Sequence, residues 1–320
     1  MVKVFITIDT EIWCDGWIDI DNKFPASFKK YIYGSTPQGE YGLPFQLKVL
    51  DDYDIEGIFF VEPLFSLRFG KQPLSDIVGM IQTHKQEIGL HPHPEWIDEA
   101  KKPILNAIFN KIPRLSLLSF EQQKKVITIG KELLQQAGST PISCFRAGSY
   151  AANNNTLKAL AENNIFIDSS YNYASDVGVE DMAPGLTLIQ PFTFGAVTVY
   201  PVSFFEDKSP NKYRPLQLTA CSTKEIEFIL NHAFENQLDS VVIVSHSFEL
   251  LTPDKSRPNK LLVDRFIKLC HFLSENRDKF QSSHMSKLQS KTMTEQKSIP
   301  RSNIFRTFDR MLEQKIKNHR

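Results

Sequence analysis

Glu87-Ile88-Gly89-Leu90-His91-Pro92-His93-Pro94-Glu95-Trp96 is the stretch on which the fold and chemistry of this chain turn. Its opening, with Ile88 and Leu90 around Gly89, reads as the end of a buried strand. Proline clashes with a helical residue in front of it, so His91 and His93 are both predicted to be extended. Side chains of an extended chain alternate faces, which points the two imidazoles the same way, close enough to share one ion. Alone, a His-x-His stiffened by prolines reads as an ordinary loop pair. Distant residues change that reading.

Residues 2–8 are rich in β-branched side chains and end at Asp9-Thr10-Glu11, where Asp9 and Glu11 share a face if the chain stays extended. Residues 43–53 and 73–82 have helical spacing, and residues 55–62 and 84–90 read as strands. Strand, helix, strand, helix, strand is the pattern of parallel β/α units, so the fold class is α/β. Further on, a helix is predicted over 119–137, with Ser119 and Gln122 placed for a capping box. Strands at 142–145 and 165–167 end at Arg146 and Asp168, with a helix over 155–163 between them. Short strands are predicted at 187–190 and 197–202. A helix over 224–236 leads to a strand at 240–244 ending at Ser245-His246, and a last strong helix covers 259–280.

Two stretches stand apart. Residues 12–41 form a long irregular segment carrying Trp13, Trp17, Phe24, Tyr31, Tyr33 and Tyr41 among glycines and prolines. A loop of that length in a compact domain is expected to do something, here as a lid or wall of a substrate site, the alternative being a packing excursion whose aromatics fill a surface groove. Residues 100–113 read as a loop with a short helix. From Gln281 the composition turns basic and polar, predicting a weakly ordered tail over 281–320 with a short helix at 305–316. That tail is expected to be solvated, or to touch acidic lipid or a partner.

Composition narrows the partners. The 37 basic and 37 acidic residues balance, so global charge predicts neither a nucleic-acid nor an anionic-membrane partner. Cys14, Cys144, Cys221 and Cys270 are scattered, which excludes a zinc ribbon or Cys-x-x-Cys motif and suits reduced thiols in the cytosol. The chain opens in a strand without signal-peptide features, and no apolar run is long enough to span a bilayer. A soluble, cytoplasmic protein with no transmembrane segment is expected.

Asp9, Glu11, His91, His93, Arg146, Asp168 and His246 all fall at or just past the carboxyl ends of predicted strands, the rim where β/α folds build active sites. A carboxylate and two imidazoles suit zinc or a similar divalent ion that keeps one position open. Such an ion acidifies bound water to a pKa of about 7, a second carboxylate takes the proton, and a histidine opposite protonates the leaving nitrogen. This is metal-assisted amide hydrolysis. At Asp168 the alternative is a turn cap through Ser169 and Ser170.

The motifs resemble those of the polysaccharide deacetylases, the carbohydrate esterases with a NodB homology domain. Thr7-Ile8-Asp9-Thr10-Glu11 is similar to their first motif, in an Asp-x-Glu variant, and Gly57-Ile58-Phe59-Phe60-Val61 to the strand that follows. Glu87 to His91 resembles the lead-in to the metal motif, Phe145-Arg146-Ala147-Gly148 the third motif, Asp168-Ser169-Ser170 the fourth, and Val244-Ser245-His246-Ser247 the histidine motif near the end.

The resemblance implies a single distorted (β/α) barrel of about seven parallel strands over residues 1–280, with the aromatic insertion at 12–41 and the polar tail at 281–320. It implies removal of an acyl group, usually acetyl, from an N-acylated sugar, with Asp9 as base, Arg146 holding that carboxylate, His246 as general acid and His91 as first metal ligand. Thr10 stands where the commoner motif has a metal-binding aspartate, leaving Glu11 to reach the ion. The commoner His-x-x-x-His would put the second histidine at Glu95. The prolines favour His93, with Glu95 the alternative ligand. Zn2+ is the expected ion, with Co2+, Ni2+ and Mn2+ as others, and Trp13, Trp96, Tyr150 and Asp168 are expected to meet substrate. The expected substrate is an N-acetylated sugar, a nucleotide- or lipid-linked glycan of surface-polysaccharide synthesis. The rival readings are hydrolysis of another amide, as by a deformylase or cyclic amide hydrolase, and a catalytically silent sugar-binding protein.

Overall fold

The main sheet comprises Val2–Thr10 (β1), Gly57–Val61 (β2), Glu87–Leu90 (β3), Cys144–Phe145 (β4), Ile167–Asp168 (β5), Phe192–Phe194 (β6), Val197–Val199 (β7), Ser240–His246 (β8) and Phe280–Ser282 (β9). This computed structural model describes residues 1–106, 110–175, 179–288 and 296–318. The strand order is β8-β1-β2-β3-β4-β5-β7-β6, with β9 pairing β1 off that path. Seven strands, from β8 round to β7, run parallel, and only β6 turns back antiparallel. The result is a curled, mostly parallel sheet flanked by helices, an open (β/α) barrel.

The longer helices are Ile20–Phe28 (α1), Leu43–Asp52 (α2), Lys71–Thr83 (α3), Phe120–Gln136 (α4), Asn154–Glu162 (α5), Thr223–Glu235 (α6), Lys260–Glu275 (α7) and Ile304–Asn318 (α8). Strand β1 is buried along nearly its whole length because β2 and β8 flank it and helices cover the sheet, so it reads as a continuous apolar run rather than an alternation. Capping boxes at Ser119/Gln122, Asn153/Thr156 and Ser222/Glu225 start α4, α5 and α6. Each satisfies otherwise unpaired backbone donors, worth about 1 kcal/mol.

The parallel ladder continues past the strand ends. His91 N donates to Val61 O at 3.0 Å, Arg146 N to Leu90 O at 2.9 Å and Ser247 N to Asp9 O at 2.9 Å. These bonds align the carboxyl ends at one rim and fix what each strand delivers there.

Three expectations differ from the structure. Residues 12–41 are irregular only over 12–19: from Ile20 α1 runs on into a π-helical turn, Lys29–Tyr33, and a short hairpin, Ser35–Thr36 with Gly39–Glu40. Pro25 inside α1 masks the helical pattern, while Phe24 and Tyr31 pack inward. The strand predicted at 187–190 is absent, and its place is taken by β6 a few residues later. Residues 280–288 and 296–318 are part of the body. Strand β9 adds to β1, Ser286 N donates to Glu87 at 2.8 Å, and Arg310 of α8 lies between Asp207 (2.8 Å) and Glu225 (2.6 Å). This packing is polar, so apolar periodicity could not foretell it. The segment 100–113 lies partly outside the described residues, at 107–109.

Candidate metal centre and active site

Strand β3 ends at Leu90, and His91, Pro92 and His93 follow as non-helical chain. His93 is extended (φ −103°, ψ 105°), and Pro94 opens a 3₁₀ turn, Pro94–Glu99. His93 Nε2 is 3.2 Å from His91 Nε2 and 2.7 Å from Glu11 Oε2, while His91 Nε2 is 3.6 Å from the same oxygen. All three residues are buried, and their donor atoms lie within 4.8 Å of one another.

The hydrogen bonds decide which nitrogens are free. His91 Nδ1 is 2.9 Å from the carbonyl oxygen of Arg146, which can only accept, so Nδ1 carries the proton and Nε2 a bare lone pair. His93 Nδ1 faces the carboxylate of Glu95 at 3.4 Å, a contact that favours a proton on Nδ1. Two lone pairs and a carboxylate oxygen converging in a buried space repel one another unless a positive charge sits among them. A proton supplies one: burial pulls the His93 imidazole down, but Glu11 and Glu95 push it up to about 10. Burial likewise raises Glu11, but His93 and His91 hold its carboxyl well below the usual range. A divalent cation fits the same three atoms, and the Nδ1 partners orient the rings as in protein zinc sites.

Arg146, following β4, is fully buried. Its Nη1 donates to Asp9 Oδ1 at 2.6 Å, its Nε and Nη2 bond Ser169, and its guanidinium lies 4.3 Å from the Phe60 ring centroid. The arginine therefore points inward and holds one oxygen of Asp9. On the neighbouring strand, His246 is the register partner of Asp9. His246 Nδ1 lies 3.8 Å from Glu249 Oε2. Glu249 is itself fixed by Gln217 (2.7 Å), Thr219 (2.6 Å) and the His246 N–H (3.1 Å). Burial lowers the His246 imidazole, but Glu249, Glu11 and Asp9 outweigh it and raise it to about 9.

Asp9, Glu11, His91, His93 and His246 line one pocket, walled by Trp13 and Tyr150. Trp13 Nε1 donates to Glu11 Oε1 at 3.0 Å, and its ring meets His93 edge-on at 4.9 Å. Ser149 and Tyr150 have positive φ (54° and 58°), strained for residues with a Cβ, as recurs at functional sites. Gly148 precedes them because a Cβ there would fall 2.8 Å from the His93 ring.

Two residues expected to meet substrate do not line this pocket. The 3₁₀ turn carries Trp96 into an aromatic cluster with Trp17, Phe65 and Phe69, leaving it 1% exposed. Asp168 is fully buried and accepts from Ser170 N (2.9 Å) and Oγ (2.6 Å), so it caps the turn. Glu95 lies behind His93 rather than beside His91. Sequence reasoning missed Glu249 and the steric role of Gly148. Glu249 stands three residues after His246, a spacing that could have flagged it.

No protein-family model matches the chain, and no curated protein matches it. Among solved structures, a protein designated a polysaccharide deacetylase from Mycobacterium smegmatis superposes with a TM-score of 0.52 at 18% identity, over 93% of this chain and 95% of that one. The chain shares that protein's fold. A 4-alpha-glucanotransferase from Thermococcus litoralis also shares it, with a TM-score of 0.55 at 11% identity, over 89% of this chain and 40% of that one. The shared fold thus sets the frame, and the side chains at the rim must decide the reaction. Among the described residues, no helix is long and apolar enough to cross a membrane.

Proposed function

We propose that this chain is a metal-dependent hydrolase that removes an N-acetyl group from an amino sugar, a nucleotide- or lipid-linked precursor of surface polysaccharide. One observation carries the reading: Glu11, His91 and His93 converge in the pocket that Asp9 and His246 flank. The shared fold of the Mycobacterium smegmatis protein designated a polysaccharide deacetylase supports it.

A divalent cation held by Glu11, His91 and His93, Zn2+ first among the ions that suit this donor set, would acidify a water and polarise the acyl carbonyl. Asp9 is the base. Arg146 occupies its Oδ1, which leaves Oδ2 to take the proton of the attacking water. His246 is the acid. Glu249 faces its Nδ1, so Nε2 is the nitrogen that protonates the leaving amine as the C–N bond breaks, giving acetate and the free amino sugar. An imidazole raised to about 9 carries that proton at neutral pH. Trp13 and Tyr150 offer aromatic faces to the sugar and narrow the pocket against bulk water. Its site of action on this reading is the cytoplasm, which the four free, buried cysteines support.

The test is acetate release from N-acetylated amino sugars, free and nucleotide-linked, with and without a chelator, and after His91→Ala or Asp9→Asn. Loss of release in all three treatments is expected. Release that survives them all overturns the reading.

A further inference from the structure

Helix α8 is docked inside out. Its polar side faces the protein, where Arg310 (2% exposed) pairs with Asp207 and Glu225 and Thr307 Oγ1 donates to Asp207 Oδ1 at 3.0 Å. Arg306 lies 3.7 Å from the Phe228 ring centroid of α6, and Asp309 pairs with Lys224 of that helix at 2.7 Å. The side turned outward is apolar. Ile304, Phe305, Phe308, Met311 and Leu312 are 60, 77, 59, 47 and 43% exposed. Their spacing of one, four, seven and eight residues makes one continuous stripe. Other exposed large apolar side chains, such as Ile18, Leu117 and Phe166, stand singly on separate elements. A contiguous apolar stripe on a helix anchored by ion pairs marks an interaction surface.

We infer that this stripe binds an anionic lipid surface, with α8 lying in the plane of the interface. Charge supports lipid as the occupant. The whole chain is neutral, yet residues 301–320 hold six basic residues against only Asp309 and Glu313, and with Arg301 paired to Glu206 and Arg310 buried against Asp207 and Glu225, the basic residues left over are Arg306, Lys315, Lys317 and Arg320. Both acids are already paired, Asp309 with Lys224 and Glu313 with Arg265. An amphipathic helix with Phe and Leu on one face in a basic setting is the pattern of interfacial binding, apolar burial adding to attraction for anionic headgroups. A second copy of the chain is the poorer occupant. The stripe offers on the order of 500 Å², below the ~800 Å² per partner of a standard interface, and the second copy would bring the same positive surplus to face it.

The 320-residue protein is sedimented with vesicles of phosphatidylcholine plus phosphatidylglycerol and of phosphatidylcholine alone, beside a Phe305→Ser/Phe308→Ser variant. Both phenylalanines are exposed, so the variant should melt as the parent does. The parent is expected to bind the anionic vesicles, less at high salt, and the variant at least ~10-fold more weakly. Equal binding by the two proteins overturns the inference, as does no binding by the parent. A parent dimer in light scattering that the variant converts to monomer assigns the stripe to a second copy and also overturns it. No sugar substrate is involved, so the outcome is independent of the deacetylase reading.

Discussion

His93 Nδ1 and Glu95 Oε2 lie 3.4 Å apart, both buried, and neither atom has a hydrogen-bond partner. The carboxylate stands behind the imidazole and favours a proton on Nδ1, so Nε2 is left to face His91 and Glu11. His93→Ala should therefore abolish stoichiometric zinc binding in a calorimetric titration. Glu95→Gln should keep the site but weaken it by about 10–100-fold, the usual cost of losing a ligand's orienting partner. Zinc retained by His93→Ala and lost by Glu95→Gln would hand the ligand role to Glu95.

Arg146 and Asp9 form a buried pair whose two halves should fail differently. Asp9→Asn keeps the shape and removes the base, so deacetylation should fall by about 10²–10⁴ while zinc content stays the same. Arg146→Met leaves a carboxylate buried without its partner, which should cost about 3–5 kcal/mol in urea unfolding. Adding Asp9→Asn to Arg146→Met should restore part of that loss. Strictly additive destabilisation would mean the pair is not coupled.

Much of this was legible in the sequence wherever one residue's chemistry dictates its own geometry. Prolines after His91 and His93 predict extended chain, and His93 is extended. Ser119 and Gln122 predict a capping box, and both bonds are present. Apolar runs separated by helices gave the parallel sheet. Trp96 was misjudged because nothing local says which way a 3₁₀ turn will aim a ring, and an aromatic beside a polar motif suits core and surface alike. A helix at 305–316 was legible and is present as α8, but its docking on the body was not, for a related reason. Its partners Asp207 and Glu225 lie far away in sequence, and only the folded chain brings those charges together.

His246 should set the alkaline limb of activity. Burial lowers its imidazole, but Glu249, Glu11 and Asp9 raise it to about 9. As a general acid it works while protonated, so kcat/KM should fall as pH rises through that value. Glu249→Gln should move the limb toward about 6.5, the ordinary histidine value. A cation in the site repels the imidazolium and lowers the limb in both proteins, so the difference between them is the readout. Stability follows the same sign: the His246–Glu249 contribution is full below about 6.5 and lost as pH rises through about 9. Superimposable pH profiles would remove Glu249 from this role.

Acid should loosen α8 through Asp207. Burial raises this carboxyl, but Arg214, the Lys208 N–H and Arg310 outweigh it and hold it at about 2. An unfolded aspartate titrates near 3.9, so this contribution is complete above about pH 4 and lost as pH falls through about 2. Melting temperature should drop over that window, and less steeply in Asp207→Asn, which has no charge to lose. Parallel curves for the two proteins would show that the acid sensitivity arises elsewhere.

Gly148 offers a test of the metal site that touches no ligand. Its N–H donates to Pro92 O at 3.2 Å, which lays the turn after β4 directly on the His91-Pro92-His93 chain. A Cβ at this position would sit 2.8–2.9 Å from His93 Cγ, Nδ1 and Cε1, closer than carbon and ring atoms approach. Neither neighbour yields easily, because His93 is buried and the turn is followed by the strained Ser149 and Tyr150. The ring must therefore shift from the position in which its Nε2 meets His91 and Glu11. Gly148→Ala should bind zinc at least ~10-fold more weakly, with a stability loss of only about 1–3 kcal/mol, the range for overpacking. The two effects separate in a zinc titration run beside urea unfolding of the metal-free protein. Unchanged zinc affinity in a folded Gly148→Ala would mean that the close packing of this turn on His93 does not hold the ring in place.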